Sequence, residues 1–364
     1  MNIDFANLKL AYKAHQEVFE KEIYRVLSDA SYIMGPEIEK LETELSQFTG
    51  AKYSISCSSG TDALLLAMMA LDIKPGDEVI TTPFTFISTA ETIALLGAKP
   101  VFVDIDEETF NIDISQIEPK ITHKTKAIIP VSLFGQVADM DEINTLAEKH
   151  NLSVIEDAAQ SFGATYKGKK SCNLSTIACT SFFPAKPLGC FGDGGAVFSN
   201  SNALTEKIKS LRVHGQTKPY TYKHIGLGAR LDNVQAAVLI IKLKSYNEAI
   251  NKRQAAAERY HKMLHGLIEK PVVKSYNSSV WAQYSIKIPS RDLIKSKLKE
   301  QGIPTAVYYP KPLHLQRCFE YLGYKKDDFP VSEKTAKEII SLPINPYITE
   351  IEQEFIVEEL KKCL

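Results

Sequence analysis

No stretch of this 364-residue sequence is long and apolar enough to cross a bilayer. The longest uninterrupted apolar run, ALLLAMMAL (Ala63–Leu71), falls far short of the roughly 20 residues a spanning helix needs. The N-terminal segment, MNIDFANLKLAYKAHQEVFEKEIYRVL, mixes charged with apolar residues and lacks the hydrophobic centre of a secretion signal. Charge of one sign is missing too. The 43 Lys and Arg are matched by 44 Asp and Glu, and a net charge of −1 gives no field to draw nucleic acid or a membrane surface. The six cysteines (Cys57, Cys172, Cys179, Cys190, Cys318 and Cys363) form no C-x-x-C pair and no zinc-type spacing. That argues against a disulfide framework and a metal site. Together these absences lead to the expectation of a cytoplasmic protein with no metal, membrane or nucleic-acid partner.

What is present is an alternation of short apolar strands and helices. YSISC (Tyr53–Cys57), DEVITT, KPVFVDI, KAIIPVSL and SVIED read as strands; the segment from Gly60 through Leu71, STAETIALLG and MDEINTLAEKHN read as helices. Apolar runs rather than strict alternation predict a mostly parallel sheet covered on both faces. A further strand ends near Ser181, and AVFS after the glycine-rich stretch is strand-like. From Leu231 one long helical segment runs to about Glu269. QYSIKIP, RDLIKSKLKEQG and IPTAVYYP then predict a strand–helix–strand unit. The expected division is a large α/β domain over residues 1–245 and a smaller α+β domain over 246–364.

In open parallel sheets, ligands gather at the carboxyl ends of the strands. The first strand delivers Ser58-Ser59-Gly60-Thr61-Asp62 into a helix, where free amides, a glycine and a hydroxyl suit a phosphate. The same residues also suit an ordinary helix cap. It is no Walker loop, and no Gly-x-Gly-x-x-Gly closes that strand, so neither nucleotide fingerprint is met. SVIED delivers Asp157, with Gln160 three residues on. SFFPAKPLGCFGDGG (Ser181–Gly195) holds a single basic residue, Lys186, among apolar residues, prolines and glycines. A phosphate-type turn, a strand-end acid and a desolvated lysine are the parts needed to hold pyridoxal phosphate. The lysine condenses with its aldehyde, and the acid keeps its ring nitrogen protonated.

With these motifs in order the chain resembles the DegT/DnrJ-type sugar-nucleotide aminotransferases. The resemblance runs from YIMGPEIEKLE through SSGTDAL, TTPFTFISTAETIALLGAKPVFVDID, VIEDAAQSFGA, SFFPAKPLGCFGDGGA and RLDNVQAA to SLPINPY. It implies a pyridoxal-phosphate fold type I architecture, like that of aspartate aminotransferase. It matches Lys186 to the lysine that joins the cofactor, Asp157 to the acid facing the ring nitrogen, and Gln160 to the side chain near the ring hydroxyl. Gly60, Thr61 and Ser181 match the phosphate cradle, and Phe86 the aromatic stacked on the ring. Tyr32, Arg230, Tyr308 and Tyr309 match substrate-binding positions.

The implied reaction moves an amino group from glutamate to a UDP-linked 3-keto-2-acetamido-2-deoxy uronic acid, for O-antigen biosynthesis. The alternative substrate is a UDP-4-keto-6-deoxy sugar. The implied assembly is a homodimer with shared active sites, Arg230 serving the opposite subunit. Three positions depart from the pattern: Gly228 stands where an asparagine is usual, Ala185 where a similar family member has serine, and Tyr308 where that member has histidine. A non-catalytic regulator on the same fold would lack the lysine or the acid, and both are present.

Overall fold

The computed structural model describes residues 3–364. Among them, seven strands form the central sheet: β1 (Tyr53–Cys57), β2 (Glu78–Thr81), β3 (Lys99–Phe102), β4 (Thr125–Ile128), β5 (Ser153–Asp157), β6 (Ile177–Ser181) and β7 (Gly195–Ser199). Their spatial order is β1-β7-β6-β5-β4-β2-β3. Neighbours run parallel except β7, which is antiparallel to both β1 and β6. The strands are buried almost throughout, as the apolar runs in the sequence predict for a sheet covered on both sides.

The chain enters through α1 (Leu8–Lys13), α2 (Gln16–Ser28) and α3 (Pro36–Thr49). Helices α4 (Gly60–Ala70), α5 (Ser88–Leu95), α6 (Met140–Lys149) and α7 (Asn202–Arg212) alternate with the strands. On one face Leu64 and Leu66 of α4 and Ile208 of α7 pack on Ile55, Ile155 and Val197. On the other, Leu41 of α3 and Leu239 of α8 (Asn233–Lys244) pack on Ala178 and Phe198, while Met140 and Ile143 of α6 cover Ile128 and Val154. The result is three layers with the sheet in the middle. These are the fold type I features expected from the sequence.

A second core lies further along the chain, built on α9 (Tyr246–Met263), α10 (Arg291–Glu300) and α12 (Glu350–Cys363). α11 (Pro330–Glu338) leads directly into its last strand. Strand β8 (Tyr284–Lys287) pairs antiparallel with β9 (Ile339–Leu342), and Tyr260, Leu298, Ile356 and Leu360 pack beside them.

Two sequence expectations need correcting here. IPTAVYYP is not a strand: its one ladder contact is a bridge from Ala306 to Ser341. Pro304 and Pro310 remove amide donors within it, and β9 takes the place beside β8. The long helix from Leu231 is two helices. Ser245 leaves helical geometry (φ −104°, ψ 8°), and its hydroxyl donates to the Lys242 carbonyl at 3.3 Å, competing with the backbone ladder.

Candidate active site

The carboxyl ends of β1, β2, β5 and β6 open on a cavity of about 680 Å³. Alternation along β5 decides which side chain reaches it. Successive residues of a strand point to opposite faces. Ile155 joins the core under α4, so Asp157 faces the same way and lines the cavity, while Glu156 points to the opposite layer. Asp157 is 5% exposed. Its Oδ2 accepts from the Thr89 hydroxyl at 2.8 Å, and its Oδ1 from the Ala159 amide at 3.2 Å. Burial pushes its carboxyl above the ordinary range, against the pull of Thr89, Ala159 and the Lys186 charge.

Lys186 lines the same cavity, in the loop between β6 and β7. The loop is closed at its base by the Phe182 amide donating to Gly194 at 2.7 Å and the Cys190 amide donating to Phe182 at 2.8 Å. Surrounding atoms strip water from the ammonium and lower its pKa, with Asp157 acting in the opposite direction. A partly dry amine beside a buried carboxyl is the chemical centre of the cavity.

Around it the strand ends come very close. A Cβ on Gly195 would lie 2.4 Å from the Ser59 carbonyl oxygen, and one on Gly60 would lie 2.7 Å from the Ser181 Cβ. Only glycine at both positions lets the end of β1 meet the end of β6 across the start of β7. Ser59 caps α4, its hydroxyl accepting from the Asp62 amide at 3.0 Å. Gly60, Thr61 and Ser181 thereby converge on one corner of the cavity.

At another wall the Gln160 amide donates to the Tyr309 hydroxyl at 3.2 Å and accepts from the Phe134 amide at 3.0 Å. Phe86, 53% exposed, presents its ring to the cavity, 6.3 Å from the Tyr309 ring. Tyr308 and Ala185 also line it.

Tyr32 and Arg230 do not line this cavity. Tyr32 is 50% exposed, and its carbonyl accepts from the Asn233 amide at 2.8 Å, which ties it to the start of α8. Arg230 stands three residues before that helix; a Cβ on Gly228 would touch both its Nη2 and the His214 ring. Among the described residues, the two predicted substrate contacts form a separate group at the head of α8.

Sequence reasoning missed Thr89 and Arg253. Thr89 sits on a helix whose buried side carries Ser88, Thr89 and Thr92, a polar run with no packing rationale. Arg253 shares the buried side of α9 with Ala256, Ala257 and Tyr260, so a charge occupying an apolar position at three-and-four spacing was the available signal.

A strand-end acid, a desolvated lysine and a glycine-lined corner at the head of a helix define an enzyme site on an α/β scaffold. Residues 13–361 match the DegT/DnrJ/EryC1/StrS aminotransferase family, and the chain belongs to it. It is 50% identical to a UDP-2-acetamido-2-deoxy-3-oxo-D-glucuronate aminotransferase of Pseudomonas aeruginosa, over 95% of this chain and 96% of that one. The crystal structure of a family aminotransferase from Brucella abortus superposes with a TM-score of 0.95 at 38% identity, covering 99% of each chain. NtdA of Bacillus subtilis, with bound cofactor PMP, superposes at 0.92 with 32% identity, over all of this chain and 85% of that one. The chain is an aminotransferase. No helix among the described residues is long and apolar enough to cross a membrane.

Proposed function

We propose that the protein transfers an amino group from glutamate to carbon 3 of a UDP-linked 3-keto-2-acetamido-2-deoxy uronic acid, with pyridoxal phosphate held in the cavity of Lys186 and Asp157. The observation that carries this reading is that Lys186 and Asp157 share one cavity in a chain half identical to an enzyme of that name.

The cavity fits the cofactor on its own features. The corner at Gly60 leaves no room for a side chain and puts the first turn of α4 beside the Thr61 and Ser181 hydroxyls, a place for a phosphate. The exposed Phe86 face suits a flat ring. Asp157 is a buried acid whose raised pKa a cation in front of it would reverse, and a protonated ring nitrogen is such a cation.

Bound there, the cofactor supplies an aldehyde for amines and a ring that accepts electrons. Lys186 would hold that aldehyde and, once freed from it, its Nζ would take the proton from the carbon bearing the amine and hand it on along the same face. Its lowered pKa increases the neutral fraction that does so. Asp157, fixed by Thr89 and Ala159, holds the ring nitrogen charged, and Gln160 orients the polar edge. Arg230 is assigned to the uronate carboxylate, which a guanidinium grips in a fork. Tyr32, Tyr308 and Tyr309 are assigned to the sugar nucleotide. We place the enzyme in the cytoplasm as a homodimer, divide its chain near residue 245, and assign its product to surface polysaccharide such as O-antigen.

The test is mass spectrometry of products from glutamate and UDP-linked keto sugars, with the purified protein supplied with pyridoxal phosphate. A 3-amino uronate is expected, and Lys186→Ala should abolish both the product and the yellow colour. Amination of a 4-keto-6-deoxy sugar in its place would overturn the substrate assignment.

A further inference from the structure

Arg253 projects from α9 into the wall of the cavity that holds Lys186. It is 6% exposed. Its Nη1 donates to the Trp281 carbonyl at 3.0 Å and the Ile344 carbonyl at 3.2 Å, which fix the plane of the guanidinium. Its Nε is buried without a partner. Among the described residues, no carboxylate stands within ion-pairing distance of it. Gln283 lines the same cavity, with its amide oxygen buried without a partner. Phe5, Ala6 and Ala282 close that end of the cavity with apolar surface.

An unpaired guanidinium in such a place is costly. A buried charge needs an opposite charge or several hydrogen bonds, and two neutral carbonyls answer only part of it. Desolvation accordingly pushes its pKa down to about 10. Arg253 and Gln283 both line that cavity, so a ligand entering it meets them. The guanidinium calls for an anion, and the Gln283 amide nitrogen is a donor that can share it.

We propose that Arg253, supported by Gln283, is the carboxylate anchor for the amino-acid donor. This rests on the aminotransferase reading above and names a part of the site that reading leaves open. An amino acid carries its carboxylate on the carbon that gives up the amino group. The anchoring cation must therefore stand inside the cavity with Lys186, as Arg253 does. Arg230 lies outside it and is free to serve the uronate. The two reactants use the site in turn, and separate cations let each carboxylate be recognised without a compromise between their shapes.

The two half-reactions separate the sources of the carboxylate. The pyridoxal-phosphate form of Arg253→Lys, mixed with glutamate, should lose colour with a kcat/KM about 100-fold below wild type. The pyridoxamine-phosphate form mixed with the keto sugar nucleotide should stay within about threefold of wild type. Gln283→Leu, which leaves the charge in place, should lower the glutamate half by about tenfold. Calorimetry with glutarate, a dicarboxylate without an amine, should show the same ranking of affinities. Equal damage to both halves, loss confined to the sugar half, or unchanged glutarate binding would overturn the assignment. A wild type that accepts an amino group from no amino acid would sink the proposed reaction instead, and the glutarate measurement would still decide Arg253.

Discussion

At the scale of single residues, the adjacent acids Glu156 and Asp157 show how position on a strand separates roles. Asp157 faces the cavity, while Glu156 is wholly buried on the other face, accepting from the Ser171 hydroxyl at 2.7 Å and the Cys172 amide at 3.0 Å. Burial pushes Glu156 up to about 7, from 4.5. The folded protein therefore holds a proton that the unfolded chain releases. The stability this group contributes is complete below about pH 4.5 and falls as pH rises towards 7, by about 3 kcal/mol in all. Glu156→Gln removes the titration but keeps the shape, since Ser171 can accept from the new amide while donating to Ser161, 2.8 Å away. Urea unfolding at pH 5 and pH 8 should show the variant losing less stability than wild type across that interval; equal losses would mean Glu156 does not titrate there. Both acids were visible in VIED, and the period of two distinguishes them once the core face is known. Arg253 was harder to see, because a lone charge in a helical stripe resembles one that reaches out to solvent on a long stem.

At the scale of elements, the site depends on how tightly β1, β6 and β7 end together. Gly60→Ala would place a Cβ 2.7 Å from that of Ser181, whose backbone is held by pairing with Gly195. Since neither strand can retreat easily, the variant should lose about 1–3 kcal/mol of stability and bind pyridoxal phosphate more weakly. Adding Ser181→Gly removes the opposing carbon, and melting temperature should recover even if the cofactor affinity does not. Two additive losses would show that the atoms do not meet. The strands and helices of the sheet were legible in the sequence because their burial leaves long apolar runs and their ends carry Gly, Ser and Asp. IPTAVYYP was not: it has the composition of a strand, but Tyr308 and Tyr309 are spent on the cavity wall, and its prolines deny the ladder. The break at Ser245 left no apolar signal either, since the three-and-four spacing continues across it and only one hydroxyl marks the turn.

At the scale of the molecule, the placement of Tyr32 and Arg230 sets a geometric condition on the proposed function. Both belong to the substrate in that reading, yet they gather at the head of α8, outside the cavity of their own chain. In the proposed two-fold dimer each such patch would be presented to the partner, so one active site would draw Lys186 from one subunit and Arg230 from the other. Two inactive variants should then repair each other. Lys186→Ala and Arg230→Ala, mixed and allowed to exchange subunits, would form mixed dimers in which one of the two sites has both native residues. Random exchange makes half of the dimers mixed, so the pool should recover about a quarter of wild-type activity towards the uronate substrate. If Arg230 instead served the cavity of its own chain, every mixed dimer would carry one defect in each site. The mixture would then be as inactive as its components, and the shared-site arrangement would fall with it.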